Sequence, residues 1–508
     1  MTAYPSRHRL LALALLPATL PLLSGCFSQS TPSASDADGD QRISIAMLQP
    51  PRSGLSPLSD DAFKLSRWST AETLVTLDAD GTPEPALATG WTQVDDTTWR
   101  FDVRPGVTFH NGDAMTVDSV VNSLQHAIDA SPRPRILNGV EMTVAADGDA
   151  VVITTATADP LLPNRLSSPQ LAILDDDAYT DSGISPVGTG TGPFELTSVD
   201  GIVGATLDRY DGYWGETALS AGIDVRFVPD GTARAAALRT GEADIVEAIP
   251  AGQAAAIDES LLHEVAMPRT NTLYLNTESG PFADPAVRAA ARAAVDRAAI
   301  VSSVYEGRAD IATGLLGPAL PWAADKRDDQ AYTDLLNTRA AAAPVSGVPI
   351  TLGTFTDRAE LPEVAVILEQ QLEAAGFVVQ QDVREYQFIE ADALEGKFDA
   401  FILSRATVLD SGDPVAYLAS DFTCDGSFSI SQLCAGEVDR AIAAAGATPG
   451  GADRQGATMA AEAQVLATDA AVPLLHERVI QGESTSVVDA ARDPRERLLV
   501  TAKTHLAD

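Results

Sequence analysis

Histidine and cysteine are scarce in this chain, six and three among 508 residues. Beyond His8 the histidines (His110, His126, His263, His476, His505) are widely spread, and none stands near Cys424 and Cys434. No cluster with metal-ligand spacing results, so neither a metal site nor a cofactor is expected. Hydrolase signatures are missing too. There is no G-x-S-x-G elbow, and neither HEVAM (263–267) nor HERVI (476–480) completes H-E-x-x-H. A surface peptide hydrolase using paired carboxylates stays open only as a remote alternative. Basic residues number 34 against 71 acidic, a net charge of −37. Such a surface repels nucleic acid and anionic lipid and favours solubility, which argues against a nucleic-acid role. Past the N-terminal stretch, no apolar run approaches the ~20 residues needed to span a bilayer.

What is present begins with a basic region (Arg7, His8, Arg9) and an apolar run from Leu10 to Leu23, broken by Pro17 and Pro21. It is too short to span a membrane and ends in small residues, the pattern of a secretion signal over 1–25. Leu23-Ser24-Gly25-Cys26 resembles the lipobox of bacterial lipoproteins, which implies lipidation of Cys26 at the new N-terminus. Residues 26–41, rich in Ser, Asp, Gly and Pro, cannot bury enough apolar surface to fold and read as a flexible tether. Outside the cytoplasm, the nearby Cys424 and Cys434 of FTCDGSFSISQLC are expected to oxidise.

A mature length of roughly 480 residues exceeds one core and predicts at least two lobes. Short strand-like runs alternate with Ala-rich helical segments, the pattern of an α/β protein. RISIAML (42–48), TWRFDVR (98–104), AVVITTA (150–156), GATLDRY (204–210), GIDVRFV (222–228), TLYLNT (272–277), VPITLGTF (348–355) and FDAFILS (398–404) read as strands. A helix is expected from Asp284 as cap and Pro285 as first residue towards a stop at Gly307, with Val287, Ala291, Ala294, Ala298 and Val301 on one face. Another, over 360–377, has Val364, Ile367, Leu368 and Leu372 on one side and Gly376 at its end. Residues 233–246 read as helix, glycine turn and buried strand. A first lobe over 42–268, a second over 269–477 and a return of 478–508 to the first would give two chain crossings, hence a hinge and a cleft.

Several stretches carry a family resemblance. AETLVTLDADGTPEPALATGWT (71–92) and TWRFDVRPGVTFHNGDAMTVDSVVNSL (98–124) are followed by PVGTGTGPFEL (186–196) and YDGYWG (210–215). TLYLNTESGPFADPAVRAAARAAVDR (272–297) and GTFTDRAELPEVAVILEQQLEAAGF (353–377) complete the series. In this order they resemble the family 5 extracellular solute-binding proteins, the peptide- and nickel-type receptors of ABC importers. The resemblance implies a two-lobed periplasmic-binding-protein-like fold (type II, cluster C), with a subdomain at about 83–175 inserted in the first lobe. Read physically, His110 is a satisfied structural histidine. GTGTG (188–192) is a turn, because a strand follows where a phosphate cradle needs a helix.

Similarity to dipeptide-binding members extends to SRATVLDSGDPVAYL (404–418), where alignment on Asp413-Pro414 puts Asp410 at the ammonium-binding position, and to FTDRAELP (355–362), where Arg358 matches the carboxylate-binding arginine. Each has a second reading: Asp410 as a loop cap, Arg358 as an intramolecular ion-pair residue. Asp413 reads as structural. Ala406-Thr407-Val408 stand where dipeptide binders often carry a tryptophan. Tyr274, Tyr386 and Tyr417 are candidates to line the cleft or to pack beside it, with Arg405 nearby. The expected ligand is a short peptide or another small zwitterion, with a metal chelate as alternative. The expected partners are an ABC permease and ATPase, with the receptor a lipid-anchored monomer on the outer face of the cytoplasmic membrane.

Overall fold

The computed structural model describes residues 41–180, 183–358, 360–408 and 411–507. Cys26 and Asp410 lie outside the described residues, as do the signal segment and most of the tether.

Two long strands organise the molecule, Leu262–Leu275 and Ala471–Glu483, 14 and 13 residues long. At ~3.3 Å per residue each spans more than 40 Å, about twice an ordinary strand. They pair antiparallel from Leu262↔Gly482 to Tyr274↔Ala471, with register shifts between Ala266 and Thr270 and between Asn271 and Thr272. Pro268, which has no N–H for a ladder bond, sits inside the first irregularity. On one side Ile245–Val246 pairs with 482–483 and leads through Arg42–Met47 and Gly222–Phe227 to the edge at Phe194–Asp200. On the other, Ala400–Ala406 pairs with 269–275 and leads to Val348–Phe355 and Phe377–Arg384. One mixed sheet thus runs through the molecule.

Apolar side chains gather in separate clusters along it. The largest runs from Leu273 to Leu475. Another joins Ile43, Ile45 and Phe194–Phe227 to Leu499 and Val500, with a small one around Ala235–Ile257 and Ile480. The fourth, Leu74 to Ile173, lies under the antiparallel sheet of 88–93, 98–103, 150–155 and 142–147 and helix Val117–Asp129. That helix starts in a capping box between Thr116 and Ser119.

Local signals held where local chemistry decides. Helix Glu360–Ala374 buries Val364, Leu368 and Leu372 and is followed by Gly376 at φ 106°. Helix Gly231–Thr240 stops at Gly241 in the left-handed region. Asp284 caps Pro285–Ala294 by accepting from Ala286 N, but the expected single helix breaks at Val295. Asp296 accepts from Ala299 N and starts a second helix, Arg297–Val304, which leaves Ala298 exposed. The TLYLNT strand extends ten residues further upstream, to Leu262.

Candidate functional site

Of the residues singled out from sequence, Arg358, Arg405, Tyr274, Tyr386 and Tyr417 lie near the pairing of Ala400–Ala406 with Leu262–Leu275. Arg358, just past strand Val348–Phe355, donates from Nε to Glu360 Oε1 (2.8 Å), from Nη2 to Glu477 Oε2 (2.6 Å) and from Nη1 to Ser404 Oγ (3.2 Å). Glu477, on the long strand, is 5% exposed and also accepts from Ser404 Oγ (2.5 Å) and Asn271 Nδ2 (2.8 Å). Burial alone would disfavour the charged guanidinium, but Glu477 and Glu360 outweigh it and hold Arg358 above its ordinary value. The arrangement is the intramolecular ion pair named as its second reading. Among the described residues three of its five N–H groups are engaged, on a side chain 32% exposed. Two carboxylates around one guanidinium leave this cluster net negative, so an incoming carboxylate competes with Glu477.

Arg405 forms a bidentate pair with Asp421, both contacts 2.8 Å, and its guanidinium carbon lies 4.2 Å from the Phe428 ring centre. Burial pushes the Asp421 carboxyl up, and Arg405 pulls it back. Tyr417 and Asp421 share one face of helix Val415–Phe422, four residues apart. Tyr417 and Tyr274 are 0% and 1% exposed and pack on Phe422. Both therefore sit in the core beneath Arg405, and burial holds both phenols neutral. Tyr386 is half-buried, edge-on to Phe355, and donates to Glu390 Oε1 (2.7 Å).

Past Arg405, Gly412 comes against the segment 77–81. A Cβ on Gly412 (φ 71°) would lie 2.6 Å from Leu77 Cδ1, and a Cβ on Gly81 would lie 3.5 Å from Gly412 O. The left-handed backbone at both positions favours glycine. Leu77 and Gly81 belong to a hairpin turn held by Arg495, which donates to the carbonyls of Leu77, Asp78 and Ala79. Behind the loop, Asp413 is fixed by Arg454 (2.6 and 3.0 Å). Ser411 and Gly412, next in sequence to Asp410, thus lie in the seam between the second-half core and the segment 77–81.

Sequence reading missed Glu477, Asp421 and Phe428. Glu477 was visible only as part of a failed zinc motif, and Asp421 by its helical spacing from Tyr417. His110 is a core residue: Nε2 contacts Gly192 O (2.9 Å), and burial lowers its pKa to about 4. The GTGTG turn packs so closely on Ser69 and Thr70 that a Cβ at Gly190 or Gly192 would meet a backbone oxygen at 2.0 Å. Cys424 and Cys434 Sγ atoms lie at bonding distance, 2.06 Å.

Residues 82–429 match the family described as bacterial extracellular solute-binding proteins, family 5 Middle. The nickel-binding protein NikA of Staphylococcus aureus is 24% identical over 424 residues, 82% of this chain and 83% of its own. A glutathione-binding protein, GsiB of Salmonella paratyphi A, is 30% identical over 317 residues, 59% of this chain and 61% of its own. Among solved structures, a nickel ABC transporter protein from Bacillus halodurans superposes with TM-score 0.77 at 25% identity, over 92% of this chain and 100% of its own. The two-lobed periplasmic-binding-protein architecture is therefore that of this chain.

Proposed function

The chain belongs to the family 5 bacterial extracellular solute-binding proteins, and from that membership we propose that it captures a short peptide or similar zwitterion between two lobes and delivers it to an ABC permease and ATPase. It performs no reaction on its cargo. The lobes are residues 42–268, with an inserted subdomain at about 83–175, and 269–477, with 478–508 returning to the first. The two long strands act as the hinge.

One observation carries this reading: Gly412, two residues past Asp410 in sequence, comes from the second half against Leu77 and Gly81. In a closing cleft, Asp410 takes the ligand ammonium and the Arg358 guanidinium takes its carboxylate. For the ammonium end, opposite charges ~4 Å apart gain about 4 kcal/mol at an effective dielectric of ~20, against about 1 in open water; the carboxylate end gains less, because Glu360 and Glu477 already pair with Arg358. Closure is driven only by the ligand's preference for the closed state. Arg405 and Tyr386 form the rim, with Tyr274 and Tyr417 packed behind. Lipid on Cys26, after removal of 1–25, holds the monomer at the outer face of the cytoplasmic membrane by its tether, with Cys424–Cys434 oxidised there.

A metal-chelate receptor is the second reading, favoured by the likeness to nickel-binding relatives. Calorimetry of the purified protein with a dipeptide panel and with nickel–histidine separates the two. Peptide binding weakened ~10-fold or more by Asp410→Asn and by Arg358→Gln is expected. Nickel–histidine binding alone, or peptide binding indifferent to both variants, would overturn the peptide reading.

A further inference from the structure

A concave surface elsewhere on the second lobe carries a different chemistry. A cavity of about 330 Å³ is lined by Arg292, Arg297 and Arg339 together with the start of the long strand 471–483. Its strand residues Val472 and Pro473 precede Glu477 by five and four positions. At ~3.3 Å per residue that is roughly 13–17 Å from the Arg358 cluster.

Each guanidinium comes from a different segment, and two of them are fixed by carbonyls of other segments. Arg292 lies in the last turn of helix Pro285–Ala294, Arg297 opens helix Arg297–Val304, and Arg339 follows helix Gln330–Leu336. Arg297 Nε donates to Pro473 O (2.6 Å) and Arg339 Nε to Leu466 O (2.9 Å). Asp469 alone among the described residues offers them a carboxylate, 2.7 Å from Arg292 Nε and 3.4 Å from Arg339 Nε. It is 1% exposed, and its close approach to Arg292 lacks hydrogen-bond alignment. Arg297 has no ion-pair partner among the described residues. Burial, and then the charges of Arg339 and Arg292, disfavour its ionised form.

Three positive charges and one negative converge here in a chain whose net charge is −37. Local repulsion of that kind is relieved by an anion. Guanidinium forks match phosphoryl and carboxylate oxygens two at a time. At ~30 Å³ per water, the cavity has room for on the order of ten non-hydrogen atoms, which exceeds chloride and suits a polyanion.

We propose that this arginine cavity binds a small multivalent oxyanion whose phosphoryl or carboxylate oxygens accept from Arg292, Arg297 and Arg339, independently of the solute held between the lobes. The test is calorimetry and thermal melting in an anion-poor buffer at constant ionic strength, with pyrophosphate, citrate and chloride as probes. Saturable one-to-one binding of pyrophosphate or citrate but not chloride is expected. The preferred probe identifies phosphoryl or polycarboxylate chemistry. Arg297→Gln and Arg339→Gln should each weaken binding ~10-fold or more while leaving peptide or nickel–histidine binding unchanged. Binding equal in wild type and the double variant, or a wild-type protein that does not distinguish pyrophosphate and citrate from chloride, overturns the proposal. The wild-type comparison decides alone if the variants do not fold.

Discussion

Replacing Asp413 by alanine should destabilise the fold around helix Val415–Phe422 by about 4 kcal/mol. Arg454 is 5% exposed and places its fork on both Asp413 oxygens, while Nη1 donates to the carbonyls of Ala445 (2.7 Å), Gly446 (3.1 Å) and Thr448 (2.7 Å). Asp413 Oδ1 also accepts from Val415 N (2.9 Å) at the start of helix Val415–Phe422. Removing one member of a buried pair costs ~3–5 kcal/mol because the other charge is left without a counter-ion. Losing the helix-start bond adds ~1. Arg454 keeps its carbonyl acceptors, which holds the sum near 4. Taking the proposed lobe 269–477 as the melting unit, ~2–4 °C per kcal/mol gives a fall in Tm of roughly 8–16 °C by scanning calorimetry. Asp413→Asn, which retains an acceptor for Val415, should cost less. In an Arg454→Met background, Asp413→Ala should cost only the ~1 kcal/mol of the helix-start bond. An equal cost in both backgrounds would refute the reasoning.

Burial holds His110 and His476 at about 4, below the ~6.5 of an unfolded chain. Their contribution is therefore complete above pH ~6.5 and declines by about 1.4 kcal/mol per pH unit for each as pH falls towards 4. Melting between pH 7 and 4.5 should show a shallower decline in His110→Gln. Oxidised, Cys424 and Cys434 would close a short loop, with a sequence separation of 10. On the loop-entropy model the bridge contributes ~2–3 kcal/mol, so the double serine variant should melt several degrees lower. Gly190→Ala should abolish soluble folded protein, because its Cβ meets Thr70 O at 2.0 Å, whereas Gly456→Ala, inside a helix with nothing within 4 Å, should stabilise by ~0.5–1 kcal/mol in urea titration.

Legibility in the sequence followed the range of the forces involved. The helix over Glu360–Ala374 and the Asp284–Pro285 start were readable because cap, stop and apolar stripe lie within a few residues. The long strands were not. LHEVAMPRTNTLYL and AVPLLHERVIQGE mix proline and charge with apolar residues, and their burial lacks a period of two because neighbours cover both faces. The site shows the same division. Arg358 and Arg405 could be named from sequence similarity, but the Arg358 partner Glu477 lies 119 residues away and is brought near only by the sheet. Tyr274 and Tyr417 look alike in sequence whether they face a ligand or a core, and only their packing on Phe422 distinguishes the two.

The placement of strand 471–483 dictates an order of assembly. Ile245–Val246 has that strand as its neighbour, and Leu499 and Val500 complete the apolar cluster built on Ile43 and Ile45. The half that is synthesised first must therefore wait for the last few dozen residues to emerge. The cluster from Leu273 to Leu475, by contrast, comes from one uninterrupted stretch. While the chain is being completed, the later-made portion can consolidate with the earlier one still showing an open sheet edge, the period of greatest vulnerability to proteases and to mispairing.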